Sequence, residues 1–241
     1  MRLTAVGSAL MLAIATHGLA EVPRAGALEE LRQRFFKGMT GAIEGRMYFE
    51  RVKPGVPDRA LSGLGVLVVP RTSELLYHLE NLKRASRDSE RGFRDAAPGV
   101  LEAVDEYETE LWRAGYPDVA LRTVTDDKGA FRLDVPSGAW LLVAHRSVFV
   151  KVHTPKAESQ PSALALDPLA RYATSQFQHF TPMSRMVGFD AVSVWLREID
   201  VETRQTVVLD LHDRGVWLAG VVEEHDQARR GRLSRINKRQ K

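Results

Sequence analysis

Cysteine is absent from the 241 residues. That removes disulfides, thiolate nucleophiles and cysteine-type zinc sites in one step, so the fold must be held by its core alone. Aromatic residues are few, at 7%. Charge of one sign is also lacking. A formal net charge of +3 is too small to argue for a nucleic-acid partner, and none is expected. No G-x-S-x-G elbow, P-loop or dinucleotide fingerprint occurs, and no H-E-x-x-H or H-x-H pair offers a metal site from one helix or strand. No cofactor is implied.

The amino terminus has the layout of an export signal. Met1–Ala20 carries one positive charge at Arg2, an apolar run Ala9–Ala15, and the small-residue ending Gly18-Leu19-Ala20. This is the pattern of a secretory signal peptide, and the apolar run is well short of the ~20 residues that span a bilayer. The expectation is an exported protein, periplasmic or secreted, with an uncleaved N-terminal anchor as the alternative. No cysteine follows the apolar run, so a lipoprotein anchor is excluded. Some 220 residues then remain, enough for one large domain with embellishments.

The basic excess is concentrated at the other end. Arg229, Arg230, Arg232, Arg235, Lys238, Arg239 and Lys241 crowd a stretch without a single acid. Such a stretch could rest on an anionic membrane surface or a cell-wall polymer, at ~1 kcal/mol per basic residue near an anionic membrane. It could equally be a solvated end that keeps the chain soluble. These seven residues are the partner-binding candidates, within a tail spanning 223–241.

Between leader and tail the hydrophobic period changes repeatedly. Residues 21–39 form an N-terminal helical segment, with Leu28, Leu31, Phe35 and Phe36 at helical spacing and Gly38 to end it. Thr40–Arg51 alternates as a strand. Gly63–Pro70 is a short apolar run that reads as a strand buried on both faces. Residues 72–114 then break the strand rhythm. One helix over Thr72–Arg94 has Leu75, Leu76, Leu79 and Leu82 on one face. A break at Ala96-Ala97-Pro98-Gly99 and a second helix over Val100–Ala114 follow. The charged stretch Lys83–Arg94 reads as an exposed elbow. This antiparallel helical pair is either a decoration closing one end of the domain or a docking arm for a partner.

Strands resume at Val119–Thr125, Phe131–Val135 and Trp140–Ala144, divided by Asp127-Lys128-Gly129 and Pro136-Ser137-Gly138. Thr123, Thr125, Asp126, Gly129, Phe131, Leu133, Val135, Pro136, Gly138, Trp140 and Leu142 make a pattern that resembles the carboxypeptidase regulatory-domain-like family. Gly45 and Met47, with Gly65, Val66, Val68 and Pro70, match that family's first two strands. The resemblance implies a mainly β, seven-stranded transthyretin-like Greek-key β-sandwich over residues 40–222. It is nearly silent on function, because members are mostly accessory modules. Two enzyme groups share such sandwiches. Hydroxyisourate hydrolases end in a Tyr-Arg-Gly-Ser motif and intradiol dioxygenases use a closely spaced histidine pair; neither feature is in this chain.

A long irregular stretch, 153–190, separates the fifth strand from the strand Ala191–Val201. Thr206–Leu211 is the expected last strand, and Val216–Val222 adds an edge strand or a packed terminal segment. His145 and His153 flank the fifth strand and could approach His179, which makes these three the metal candidates. His212-Asp213 and His225-Asp226 are adjacent pairs, which on a strand point to opposite faces. The expected function is a non-catalytic module for protein binding or scaffolding, its partner another envelope or extracellular protein. The alternatives are a carbohydrate or cell-wall binder using Trp140, Trp195, Trp217 and Tyr172, and a metal-dependent enzyme built near the long loop.

Overall fold

Turn chemistry and strand alternation set the framework of the computed structural model, which describes residues 25–51, 55, 57–151 and 186–226. Helix α1 (Ala25–Phe36) ends at Gly38, whose φ of 66° is the left-handed value that stops a helix without a Cβ clash. Strand β1 (Thr40–Phe49) follows, with Ile43, Met47 and Phe49 buried. After a two-residue strand β2 (Arg59–Ala60), β3 (Gly65–Pro70) is buried from Val66 onward. Helices α2 (Ser73–Asp88) and α3 (Glu90–Arg113) come next. The remaining strands are β4 (Leu121–Val124), β5 (Ala130–Pro136), β6 (Gly138–Lys151), β7 (Met186–Val201), β8 (Thr206–His212) and β9 (Leu218–Asp226).

These strands form two packed sheets. In the four-stranded sheet, β1 is central: it pairs antiparallel with β2 and β5 and parallel with β8. The five-stranded sheet has the order β4-β3-β6-β7-β9 and is antiparallel throughout. Val66, Val68, Trp140, Leu142, Trp195 and Ile199 of the larger sheet meet Ile43, Met47, Phe131 and Leu211 of the smaller one. The protein is therefore mainly β, a β-sandwich, as the strand alternation predicts.

The helical pair lies elsewhere than expected. It neither closes an end nor projects as an arm. It covers the outer face of the five-stranded sheet, where Leu75, Leu79, Val100, Val104, Tyr107 and Leu111 pack on Leu67, Leu141, Val143, Val194 and Leu196. The larger sheet is thus buried on both faces, which explains the unbroken apolar run Trp140–Ala144. Tyr107 anchors the layer by donating its hydroxyl to the Pro70 carbonyl at 2.9 Å, and burial pushes its phenol up from the ordinary tyrosine range.

The element that does close an end is α1. Its Leu28 belongs to the helix-side core while Leu31 packs on the core between the sheets. Arg32 fixes it there, donating to both carboxylate oxygens of Asp118, at 3.0 and 2.8 Å, and to the Gly115 carbonyl at 2.7 Å. The bond from Arg32 holds the Asp118 carboxyl below the usual range.

Several boundaries move. The helices meet at Ser89, whose hydroxyl caps α3 by accepting from the Gly92 amide, so the elbow is a point within Lys83–Arg94. Helix α3 runs straight through Ala96-Ala97-Pro98-Gly99. An interior proline costs about 3 kcal/mol, and here the full burial of Ala97 and Val100 on the sheet offsets it. Nine strands are present among the described residues rather than seven. Strand β7 begins at Met186, so 186–190 is strand rather than loop, and β9 runs on to Asp226, four residues into the expected tail.

Candidate functional site

Of the three metal-candidate histidines, His145 lies within the described residues. It is exposed on β6, opposite Val194 of β7. His153 and His179 lie outside the described residues, as do Tyr172, the seven basic residues Arg229–Lys241 and the leader Met1–Ala20. The four tryptophan and tyrosine candidates for stacking divide in the same way. Trp140 and Trp195 are fully buried, each donating its indole N–H to a backbone carbonyl, Pro136 and His212 respectively. Trp217 is half-buried, donating to Glu80 at 3.1 Å under the Lys83 ammonium. None of the three tryptophans presents a bare ring for a sugar.

The structure gathers a different set of ionisable groups. Asp190 of β7 and Glu223 and His225 of β9 bring one donor atom each to within 4.8 Å of one another. Two strand features cause this. Glu223 and His225 are two apart on β9 and share a face, and Asp190 is the register partner of Glu223. The register then jumps, Ala191 pairing with Val221, which leaves Val222 as a bulge residue beside the cluster.

His225 Nε2 lies 2.8 Å from Asp190 Oδ2, and the Phe149 ring stands edge-on to the imidazole at 5.4 Å between centroids. That ring occupies the space a side chain at 188 would need: a Cβ there would fall 2.3 Å from it, so Gly188 is required. Chemically, two carboxylates and one imidazole are the donor set of a divalent transition-metal site. As placed, His225 and Asp190 spend their facing atoms on each other. A second histidine–carboxylate pair sits on the smaller sheet, where His212 Nδ1 lies 2.9 Å from Glu50 Oε1 and Arg214 Nε lies 2.9 Å from Glu50 Oε2.

The Asp190 cluster escapes sequence reasoning because the apolar pattern of its strand ends at Val222. The visible signal is Glu-x-His at 223–225, a period-two spacing that places both side chains on one strand face. The adjacent pair His225-Asp226 is not the pair that matters.

A further surface is apolar. At the end of α1, Phe35, Phe36 and Met39 are 50%, 72% and 42% exposed. The two rings meet edge to face at 6.3 Å. The patch is held rigidly, because Arg32 binds Asp118 on one side and Arg34 donates to the Ser137 carbonyl at 2.8 Å.

Among the described residues no helix is long and apolar enough to cross a membrane. No family model matches the chain, and no curated protein does. Among solved structures, the chain is similar to a candidate carbohydrate-binding protein of Pseudomonas aeruginosa, at 12% identity over 71% of this chain and 88% of that one, with a TM-score of 0.33. It is also similar to the pilus backbone of Streptococcus pneumoniae, at 12% identity over 43% of this chain and 30% of that one, with a TM-score of 0.20. Likenesses this distant carry no argument about what the chain does.

Proposed function

We propose that this chain is an exported, non-catalytic β-sandwich module that binds another envelope or extracellular protein through the Phe35–Phe36–Met39 patch. The observation that carries the reading is the patch itself. Phe35 and Phe36, 50% and 72% exposed at the end of α1, meet edge to face, and Met39 three residues on is 42% exposed. The Arg32–Asp118 ion pair and the bond from Arg34 to the Ser137 carbonyl hold the helix in place. Aromatic residues and methionine are enriched at protein interfaces, and an anchor that is rigid before binding loses little entropy on binding. The leader-like Met1–Ala20 supports the envelope as the compartment.

We assign the sandwich to the carboxypeptidase regulatory-domain-like family and its transthyretin-like topology as part of the same proposal. The support is that the motif residues Thr123 to Leu142 fall on β4, the connection Thr125–Gly129, β5 and β6. Gly129 has the left-handed φ of 75° that the motif's glycine serves.

The test is site-specific photocrosslinking in the source cells, with a photoreactive phenylalanine analogue at position 36. Position 208 is the control, because Val208 is 75% exposed on the smaller sheet. The reading expects a discrete adduct from position 36 and none from 208. Adducts from neither position, or the same adducts from both, would contradict it.

A further inference from the structure

The outer flank of α3 forms a groove of about 610 Å³ against strand β9. Pro98, Leu101 and Val222 supply its apolar lining, and Glu102, Asp105 and Glu106 its acidic wall. These three acids are exposed, Glu102 lying three and four residues before the adjacent Asp105 and Glu106, a spacing at which like charges repel. Among the described residues, neither Glu102 nor Glu106 has an ion-pair partner. Asp105 feels Arg122, which is itself bonded to Glu108. At the far end Glu110 is bonded to Arg113. A helix face so arranged is stabilised by a cationic partner laid along it.

The strand that walls the groove leads directly into such a partner. Gly220 abuts Ala97, and Glu224 lies 3.3 Å from Arg94, so β9 runs toward the start of α3. Beyond Asp226 the chain continues through Arg229, Arg230, Arg232, Arg235, Lys238, Arg239 and Lys241 without an acid, and Leu233 and Ile236 interrupt the bases. From Asp226 back to Val222 is roughly 13 Å of strand, and Pro98 to Glu110 is roughly 18 Å of helix. Residues 227–241 reach roughly 50 Å when extended, ample to turn just beyond Asp226 and lie along the groove.

We infer that the basic segment Arg229–Lys241 occupies the groove between α3 and β9 of its own chain. Its arginines and lysines face Glu102, Asp105 and Glu106, and Leu233 and Ile236 cover Leu101 and Val222. Tethering a few residues away makes the contact intramolecular, with an effective concentration in the millimolar range for so short a link. Held there, the bases are withdrawn from anionic membranes or polymers, and salt releases them. The inference is independent of the Phe35–Phe36–Met39 reading.

The test is limited trypsin digestion of the full chain at low salt, with cleavage after Arg229 to Arg239 followed by mass spectrometry. The comparison is the triple variant Glu102→Gln/Asp105→Asn/Glu106→Gln, which adds no trypsin site and changes exposed side chains alone. The wild-type segment should be cut about tenfold more slowly than the variant's, as expected for cleavage that waits on local release, and 0.5 M salt should erase the difference. Asp134→Asn, an exposed acid on the smaller sheet, should leave wild-type protection intact. Sites in β6 and β7 report folding of every variant. Equal cutting of wild type and triple variant would overturn the inference. Protection that grows with protein concentration would overturn it too, by assigning the groove to the segment of a second copy.

Discussion

The two cores of this protein share one sheet and differ in how the layer set against it comes close. Toward the four-stranded sheet, the five-stranded sheet presents Trp140, Trp195 and Ile199, and the facing strands answer with Phe49, Met47 and Phe131. Large side chains at alternate strand positions fill that gap. Toward the helices, large side chains such as Leu79, Tyr107 and Leu111 also pack, but over β9 the contact depends on small residues. Ala96 and Ala97 of α3 are fully buried, and a Cβ built on Gly220 of β9 would stand 2.5 Å from the Ala97 Cβ. One side of the sheet is sealed by volume throughout, the other by volume together with a close approach of α3 to β9 at Gly220.

The comparison predicts three graded failures. The largest comes from excising Thr72–Ala114. That segment covers Leu67, Val69, Leu141, Val143, Val192, Val194, Leu196 and Leu218, so its loss bares a broad apolar sheet face. No soluble folded protein should be recovered, as judged by size-exclusion chromatography. A soluble monomer with native β-sheet circular dichroism would show that the helices are an appendage after all. Next, Trp140→Ala empties the inter-sheet core and should cost about 3–5 kcal/mol in urea unfolding. Smallest is Gly220→Ala on the helix side, a single added methyl that should still cost about 1–3 kcal/mol by overpacking. If Gly220→Ala is neutral, the close approach of α3 to β9 adds nothing to the seal of the helix-side core.

What could be read from the residues follows the same division. The inter-sheet core was legible because Ile43, Met47, Phe131 and Val135 alternate with polar residues, and because Gly38 and Gly129 mark turns that need a left-handed φ. The helix-side core was legible in its residues but not in its place. Leu75, Leu79, Val104 and Leu111 show a buried helical face, yet nothing local says which surface they cover. Pro98 suggested a break because its cost is local, while the burial of Ala97 and Val100 that offsets the cost is tertiary.

Strand β9 outruns its apolar pattern for a related reason. Glu223, Glu224 and His225 show no apolar alternation; in this edge strand Glu224 pairs with Arg94 and His225 with Asp190. The Asp190–Glu223–His225 cluster needs a register between strands more than thirty residues apart, and it sits beside a bulge at Val222. Neither is written in any single segment.

The central claim is that the helical pair is a structural layer of one cooperative unit, and native-state amide hydrogen exchange tests it most directly. The amides of Leu79, Val100 and Val104 should open with the same free energy as those of Leu141 and Val143 in β6, and that energy should match global unfolding. Helix amides that exchange through a separate, lower-energy opening, while β6 stays protected, would contradict it.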